Sequence, residues 1–249
     1  MIIERAEHPD WLSNAYLVAE GPGGSGVLVD GNGVVEPLLE RIEADDITIT
    51  HVILTHSHAD HVVDVEGLAE RFGVPLLAHA VTAEDLGEGR VNETLADGEV
   101  VHSGDLEIEA IHTPGHAAGH LALLFDGTDC LTADVLFKGT VGGTRAPGAT
   151  GFADLKGSIM DRLMALPAET RLHPGHVEAT TVGEEWESNP FIRIWRGLDD
   201  EGDETCRVAT EETEATLVLW APDYDGTNKA WVRFESGEDA IVGGSQVRR

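Results

Sequence analysis

The sequence predicts an α+β protein in which sheets are covered by helices, followed by a small β-rich appendage at the C-terminus. Three observations support this class. Short apolar runs bounded by turn residues alternate with stretches of helical periodicity. The 249 residues include 41% hydrophobic residues, enough for a substantial buried core. Residues 196–249 contain no histidine and consist of short strand-like runs.

The first part of the chain alternates predicted strands and helices. Apolar residues three and four positions apart predict a helix over Val34–Ile42. The apolar-rich stretch Ile47–Leu54 predicts a buried strand, and a helix over Ala59–Phe72, closed by a glycine, is predicted after it. The other strands predicted here are Ile2–Ile3, Ala15–Val18, Gly26–Asp30 and Val74–Ala78.

The rest of the chain continues this pattern and then changes character after Trp195. Helical periodicity extends over Leu155–Leu166. We therefore predict a main domain of residues 1–195 and an acidic β-rich appendage of residues 196–249. The predicted strands are Leu106–Ile111, Leu121–Phe125, Cys130–Ala133 and Thr170–Leu172 in the domain, and Ala215–Trp220, Ala230–Phe234 and Ala240–Val242 in the appendage.

The charge is strongly negative along the whole chain. Aspartate and glutamate number 46 against 16 lysines and arginines, so the net charge is −30. Such a surface repels nucleic-acid phosphates and anionic membranes, and we expect neither as a partner. An acid-rich, lysine-poor surface over an ordinary core is typical of halophilic proteins. We favour that interpretation over an acidic mesophilic protein.

Segments for export or membrane insertion are not predicted. No apolar run reaches the roughly 20 residues that cross a bilayer, and no apolar stretch follows a basic N-terminus. The two cysteines, Cys130 and Cys206, cannot make a disulfide framework. Cys130 lies in an apolar strand and is expected in the core. We expect a cytoplasmic protein.

Three of the twelve histidines lie in residues 55–61, Thr-His-Ser-His-Ala-Asp-His. By chance, this H-x-H-x-D-H pattern is expected in roughly a few of every thousand chains of this composition. His56 and His58, two positions apart in extended chain, point to the same side and suit one cation. Asp60 and His61 lie where the chain turns into a helix and can face a second cation. The motif follows a buried strand, where α/β sheets place their sites.

Three further motifs also follow predicted strands. One strand ends in residues 112–116, His-Thr-Pro-Gly-His, and another ends in residues 173–176, His-Pro-Gly-His. A Pro-Gly turn lifts His116 and His176 off these strand ends. Asp134 follows a third strand, and its carboxylate is suited to bridge two cations.

With these motifs the chain resembles the metallo-β-lactamase superfamily, and within it the glyoxalase II-like branch of hydroxyacylglutathione hydrolases. The resemblance covers about residues 1–195 and implies a four-layer αβ/βα sandwich for that part. It does not extend to the appendage. Beyond the motifs above, it rests on Gly119-His120, on residues 134–137 (Asp-Val-Leu-Phe) and on residues 185–193 with their Asn189-Pro190-Phe191.

The resemblance implies two divalent metal ions and a ligand set for them. One ion would be held by His56, His58 and His116. The other would be held by Asp60, His61 and His176, and Asp134 would bridge the two ions. Of these, Asp60, His61 and Asp134 are also the candidate catalytic residues. A hydroxide between the two ions would be the nucleophile. Such ligands suit zinc, iron and manganese, and we expect zinc.

The predicted reaction is hydrolysis of a small acyl-thioester. Family members commonly carry a Gly-x-Gly-Arg-like stretch after the bridging aspartate, whereas residues 139–145 are Gly-Thr-Val-Gly-Gly-Thr-Arg. The acidic appendage replaces the basic helical region by which long glyoxalases bind glutathione, so another small thiol fits equally well. Lys138 and Arg145, with Lys156, are the candidate contacts to a substrate carboxylate.

Other functions remain open at this point. A persulfide dioxygenase of the same branch would hold a single iron through His56, His116 and Asp134. An ester or lactone hydrolase would use the same two-metal site. A ribonuclease of the superfamily is disfavoured by the net charge of −30. The strand edges of the appendage offer a surface for a homo-oligomer.

Overall fold

The structure is a computed structural model that describes residues 1–208 and 213–249. The chain forms two compact units whose segments interleave along the sequence. The predicted division between residues 195 and 196 stays a prediction. The first unit contains Met1–His112, Gly119–Ala133 and Gly175–Val177, and the second contains Thr113–Ala118, Asp134–Pro174 and Glu178–Arg249.

The first unit is built on a mixed sheet, an antiparallel meander and four helices. Its strands are β1 Ile2–Glu7, β2 Asn14–Ala19, β3 Ser25–Val29, β4 Thr48–Leu54, β5 Leu76–His79, β6 Glu93–Leu95, β7 Val100–Ser103, β8 Leu106–His112, β9 Leu121–Phe125 and β10 Asp129–Ala133. Its helices are α1 Glu36–Ala44, α2 Ala59–Val62, α3 Val65–Phe72 and α4 Ala80–Leu86. The mixed sheet has the order β1-β2-β3-β4-β5-β6, antiparallel up to β3 and parallel from β3 onward. Strands β7 to β10 pair consecutively and antiparallel.

The mixed sheet is buried on both faces. Val52 and Leu54 of β4 belong to a core that includes Leu38 of α1. Ile53, which lies between them, belongs to a second core that includes Leu123 of the meander. Successive side chains of a strand point to opposite faces, so the part of a strand that lies between two cores is apolar on both faces. This confirms the strand predicted from the apolar-rich stretch, and its last three residues, Val52, Ile53 and Leu54, are fully buried.

The single helix predicted over Ala59–Phe72 is wrong, because the structure has two helices, α2 and α3. Gly31 causes the interruption. Its carbonyl accepts a hydrogen bond from the Val63 N–H at 2.9 Å, and its N–H donates to the His61 carbonyl at 2.8 Å. Because these groups bond outside the helix, the helical hydrogen-bond ladder does not continue through them. The chain therefore changes direction directly after the histidine motif.

The second unit begins with short hairpins and helices. The helical periodicity predicted over Leu155–Leu166 is present, but it passes from α-helical to π-helical and then to 3₁₀ geometry. Strands β11 and β12 pair antiparallel, as do β13 and β14. The elements are β11 Leu136–Phe137, β12 Thr140–Val141, α5 Phe152–Gly157, the π-helix Ser158–Arg162, the 3₁₀ helix Leu163–Ala165, β13 Arg171–Pro174, β14 Thr180–Thr181, α6 Val182–Ser188 and α7 Pro190–Trp195.

The second unit ends in an antiparallel sheet of five strands. The strands are β15 Glu204–Val208, β16 Thr213–Pro222, β17 Asn228–Phe234, β18 Asp239–Gly243 and β19 Val247–Arg248, with a 3₁₀ helix at Gly244–Gln246. Their order is β18-β17-β16-β15-β19. The sheet has an apolar core of its own, which includes Cys206, Leu217 and Val232. The three strands predicted for the appendage are confirmed within β16, β17 and β18. Among the described residues, no helix is long and apolar enough to span a membrane.

Candidate metal centre

The histidine motif starts where β4 ends and continues into α2. His56 is fully buried. His58 precedes the first residue of α2 and has extended backbone angles, φ −69° and ψ 147°. The centroids of the two imidazole rings are 4.7 Å apart. The two side chains therefore lie side by side, as expected for positions i and i+2 of an extended segment.

The structure brings together the three residues predicted to hold the second ion. Asp60 Oδ2 lies 3.6 Å from His61 Nε2 and 3.6 Å from His176 Nε2. These separations are too long for hydrogen bonds. Tetrahedral bonds of about 2.1 Å to one ion would place neighbouring ligand atoms about 3.4 Å apart. The donor set and its spacing therefore fit a divalent cation.

Asp30 orients His61, and the sequence analysis did not single it out. Asp30 Oδ2 lies 2.9 Å from His61 Nδ1 and accepts a hydrogen bond from the Thr55 hydroxyl at 2.8 Å. Because a carboxylate only accepts, His61 Nδ1 carries the proton, and Nε2 keeps its lone pair for a metal. Asp30 directly follows β3, which runs parallel to β4. A polar residue at this strand end was the signal that could have identified it.

His176 is held by the segment that enters β2. Ser13 and His176 form an antiparallel bridge. The Asn14 N–H donates a hydrogen bond to the Gly175 carbonyl at 2.7 Å. The Ser13 hydroxyl also donates to the Asp60 carbonyl at 3.1 Å. One segment of backbone therefore positions two candidate ligands.

In the second unit, His116 and Asp134 form a matching pair. His116 Nε2 lies 3.5 Å from Asp134 Oδ2. His116 Nδ1 lies 2.9 Å from the Gly143 carbonyl oxygen, which can only accept, so Nδ1 carries the proton. Gly142 permits this packing, because a Cβ atom there would lie 2.0 Å from the Asp134 carbonyl oxygen. Here too Nε2 has the form that binds a metal.

A buried glutamate anchors the chain that follows Asp134. Glu185 is 1% exposed. Its carboxylate accepts hydrogen bonds from the Gly139 N–H at 2.9 Å, the Asn189 amide at 2.8 Å and the Thr180 hydroxyl at 2.8 Å. Three such bonds balance the cost of burying the carboxylate. Glu185 begins the run of residues 185–193 that contributes to the family resemblance, but the sequence did not predict this anchoring role.

The candidate substrate contacts already hold carboxylates. Lys138 Nζ lies 2.9 Å from Glu178 Oε1, and this hydrogen bond raises the pKa of Lys138. Arg145 Nη1 lies 2.9 Å from Glu238 Oε1. Both side chains are therefore engaged in ion pairs with glutamates of this chain. Their role toward a substrate stays a prediction.

Neither cysteine is suited to act as a nucleophile. Burial raises the pKa of the Cys130 thiol to about 12, and burial also raises the pKa of Cys206. A thiol with a raised pKa stays protonated and unreactive at neutral pH. The assignment of Cys130 to the core is confirmed.

Comparison with known proteins defines the class of this protein. The model of the metallo-beta-lactamase superfamily matches residues 8–176. The chain belongs to that superfamily of metallo-hydrolases. This confirms the predicted family and fold class, and the C-terminal β sheet is present as predicted. The family fold and the candidate ligands His56, His58, His116 and Asp134 together imply divalent metal ions.

One relative carries the name of the predicted branch, and two solved structures share the fold. The chain is 31% identical over 183 residues to the hydroxyacylglutathione hydrolase GloC of Haemophilus influenzae, an alignment that covers 66% of this chain and 86% of that protein. It is similar to the crystal structure of ETHE1 from Myxococcus xanthus, with a TM-score of 0.69, 28% identity and coverage of 80% of this chain and 92% of that one. It is also similar to the crystal structure of TTHA1623 in a di-iron-bound form. The TM-score is 0.65 and the identity 33%, and the match covers 76% of this chain and 99% of that one.

Proposed function

We propose that this protein is a metal-dependent hydrolase of an acyl-thioester, with two zinc ions in its active site. The observation that carries the proposal is the repeated geometry of imidazole and carboxylate. In both units Nε2 atoms lie 3.5 to 3.6 Å from an aspartate oxygen. The proposed ligands are His56, His58 and His116 for one ion, Asp60, His61 and His176 for the other, and Asp134 for both.

The protein's own residues prepare these ligands. Two divalent ions, when bound, would lower the pKa of a water molecule enough to make it a nucleophile at neutral pH, and they would polarise the scissile carbonyl. Asp30 and the Gly143 carbonyl hold the protons of His61 and His116 on Nδ1. Asp60 and Asp134 contribute negative charge that offsets that of the cations. No protein nucleophile is then required.

The proposed substrate is a small acyl-thioester with a carboxylate. The name of the Haemophilus relative supports a thioester such as an acylated glutathione. Lys138 and Arg145 are the proposed contacts to the carboxylate, in place of Glu178 and Glu238. The net charge of −30 supports a small molecule rather than a nucleic acid or membrane as partner. Two buried thiols fit a cytoplasmic location.

Metal content and activity, measured on one preparation purified at high salt, test this proposal. We expect about two metal ions per chain, as in a two-metal hydrolase, together with turnover of S-lactoylglutathione. One iron per chain with oxygen uptake on a persulfide would instead make the protein a dioxygenase. Two metals with no turnover of S-lactoylglutathione or of thioesters of other small thiols would refute the substrate class and direct the search to other esters and lactones.

Substitution of a ligand separates metal chemistry from background hydrolysis. We expect the rate of thioester turnover to fall in His176→Ala by more than roughly 10–100-fold. That range is the usual loss of metal affinity or activity when a residue that only hydrogen-bonds to a ligand is substituted. His102→Ala is the matched control, because His102 is exposed on β7. Equal activity of the two variants would contradict the proposed ligand set.

A further inference from the structure

The C-terminal sheet is hydrogen-bonded to the segment that carries Gly143. In β18, the Ile241 N–H donates to Thr144 Oγ1 at 2.8 Å, and the Ile241 carbonyl accepts from the Thr144 N–H at 2.9 Å. Both residues are buried. Reciprocal hydrogen bonds that are shielded from water fix the position of the Thr144 backbone, since breaking them would leave buried polar groups unsatisfied.

The peptide group between Gly143 and Thr144 connects this contact to a candidate metal ligand. The Thr144 N–H and the Gly143 C=O belong to one planar peptide group and point in opposite directions. The N–H bonds to Ile241, while the carbonyl oxygen lies 2.9 Å from His116 Nδ1. The hydrogen bond from β18 therefore sets the direction of the carbonyl that orients His116. It also polarises that carbonyl and makes it a stronger acceptor.

The sheet also holds the segment close to Asp134. The Tyr224 ring, in the turn between β16 and β17, packs on Phe137 with centroids 4.9 Å apart. Lys229 Nζ lies 5.9 Å from the centre of the Phe137 ring. Phe137 follows Asp134 by three residues. The C-terminal sheet thus contacts Phe137, three residues after the candidate bridging carboxylate, and Thr144, directly after the carbonyl that orients His116.

We infer that the C-terminal sheet is a positioning element of the metal centre, acting through the Ile241–Thr144 contact and the Gly143 carbonyl on His116. The inference rests on the ligand role proposed above for His116. It adds a function for residues 196–249 that the family resemblance does not supply. The contact is expected to raise the affinity for the ion bound by His116.

The test uses the full-length chain and two substitutions of Thr144. Thr144→Val keeps the shape of the side chain but removes the acceptor of the Ile241 N–H, and Thr144→Ser keeps that acceptor. Zinc affinity is measured by competition with a chromophoric chelator. We expect Thr144→Val to weaken one of the two zinc sites by about tenfold, the lower end of the range for outer partners of a metal ligand. Thr144→Ser should retain the affinity of the unsubstituted protein.

A control variant separates positioning from loss of stability. Val247 lies on β19 in the core of the same sheet. Val247→Ala should lower the melting temperature but leave both zinc affinities unchanged. If Val247→Ala weakens zinc binding as much as Thr144→Val does, the contact acts only through overall stability and the inference is overturned.

The ring nitrogens of His116 provide a second readout, on metal-free protein. Long-range ¹H–¹⁵N correlation spectra should show the Nδ1–H tautomer of His116 in the unsubstituted protein and in Thr144→Ser, and a mixture of tautomers in Thr144→Val. If Thr144→Val changes neither the tautomer of His116 nor the zinc affinity, the inference is overturned while the proposed function still stands. If the unsubstituted protein binds no divalent ion, the proposed function fails, and the tautomer of His116 still decides whether the sheet positions this side chain.

Discussion

Two candidate ligand imidazoles depend on acceptors that are far away in sequence. His61 Nδ1 faces Asp30 across 31 residues, and His116 Nδ1 faces the Gly143 carbonyl across 27 residues. One acceptor is a carboxylate and the other a backbone oxygen, but each places the proton on Nδ1. The chemistry of each histidine is therefore set by its partner as well as by its own position.

Substitution of Asp30 tests this dependence for His61. In Asp30→Asn the amide group can present N–H atoms to His61 Nδ1, which favours the tautomer whose Nε2 carries the proton and cannot bind a metal. We expect metal affinity or thioester turnover to fall by about 10–100-fold. Zinc competition and steady-state kinetics measure the two effects.

Asp105→Asn is the control for this change, since Asp105 is an exposed aspartate in the same unit. It should match the unsubstituted protein in both measurements. Retention of full zinc affinity in Asp30→Asn would show that Asp30 does not determine the tautomer of His61.

At the scale of elements, a buried ion pair joins β17 to the turn that precedes it. Lys229 Nζ lies 2.9 Å from Asp223 Oδ2, and the two side chains are only 9% and 5% exposed. Lys229→Met would leave the Asp223 carboxylate buried without its counter-charge. We expect a loss of about 3–5 kcal/mol in the free energy of unfolding, measured by urea denaturation.

The exposed pair of Lys138 and Glu178 is the comparison. Its side chains are 49% and 66% exposed, so water and salt screen their attraction. Lys138→Met should leave the urea midpoint almost unchanged. Equal destabilisation by the two lysine substitutions would mean that burial does not control the contribution of the Lys229 pair.

The two helices that follow the histidine motif show how an element can differ from its sequence pattern. The apolar spacing is continuous across Ala59–Phe72, and it predicts one helix. The interruption comes from hydrogen bonds between Gly31 and the chain at His61 and Val63. Local periodicity carries no information on a partner thirty residues earlier, so only the folded chain reveals the break.

At the scale of the whole molecule, the net charge of −30 opposes compactness. Salt should reduce this repulsion, because the Debye length falls from about 10 Å at 0.1 M to about 3 Å at 1 M. Between 0.1 M and 1 M KCl we expect the melting temperature to rise by at least about 2–4 °C. In a chain of this size, such a rise corresponds to about 1 kcal/mol in the free energy of unfolding. Differential scanning calorimetry measures the change.

Sucrose distinguishes charge screening from general exclusion at the protein surface. It is excluded from the surface but does not screen charges, so an equal osmolality of sucrose should raise the melting temperature less than KCl does. A melting temperature that does not respond to KCl, or that responds equally to both, would contradict the halophilic interpretation.

The family and the candidate ligands could be identified from the amino-acid sequence without coordinates. The residues around His56, His116, Asp134 and His176 follow predicted strands, and metal ligands with such spacing are recognisable without coordinates. The β-rich character of residues 196–249 also followed from local pattern, because strand signals depend on neighbouring residues.

The tertiary structure alone decided which groups support those ligands. Asp30 reaches His61, and Ile241 reaches Thr144 across 97 residues. Glu185 lies in a run that contributes to the family resemblance, but only the folded chain shows its burial among three hydrogen-bond donors. The candidate ligands occupy short motifs, whereas the hydrogen bonds that support them join distant segments. A local sequence pattern does not contain the position of a distant partner, because that position exists only in the folded chain.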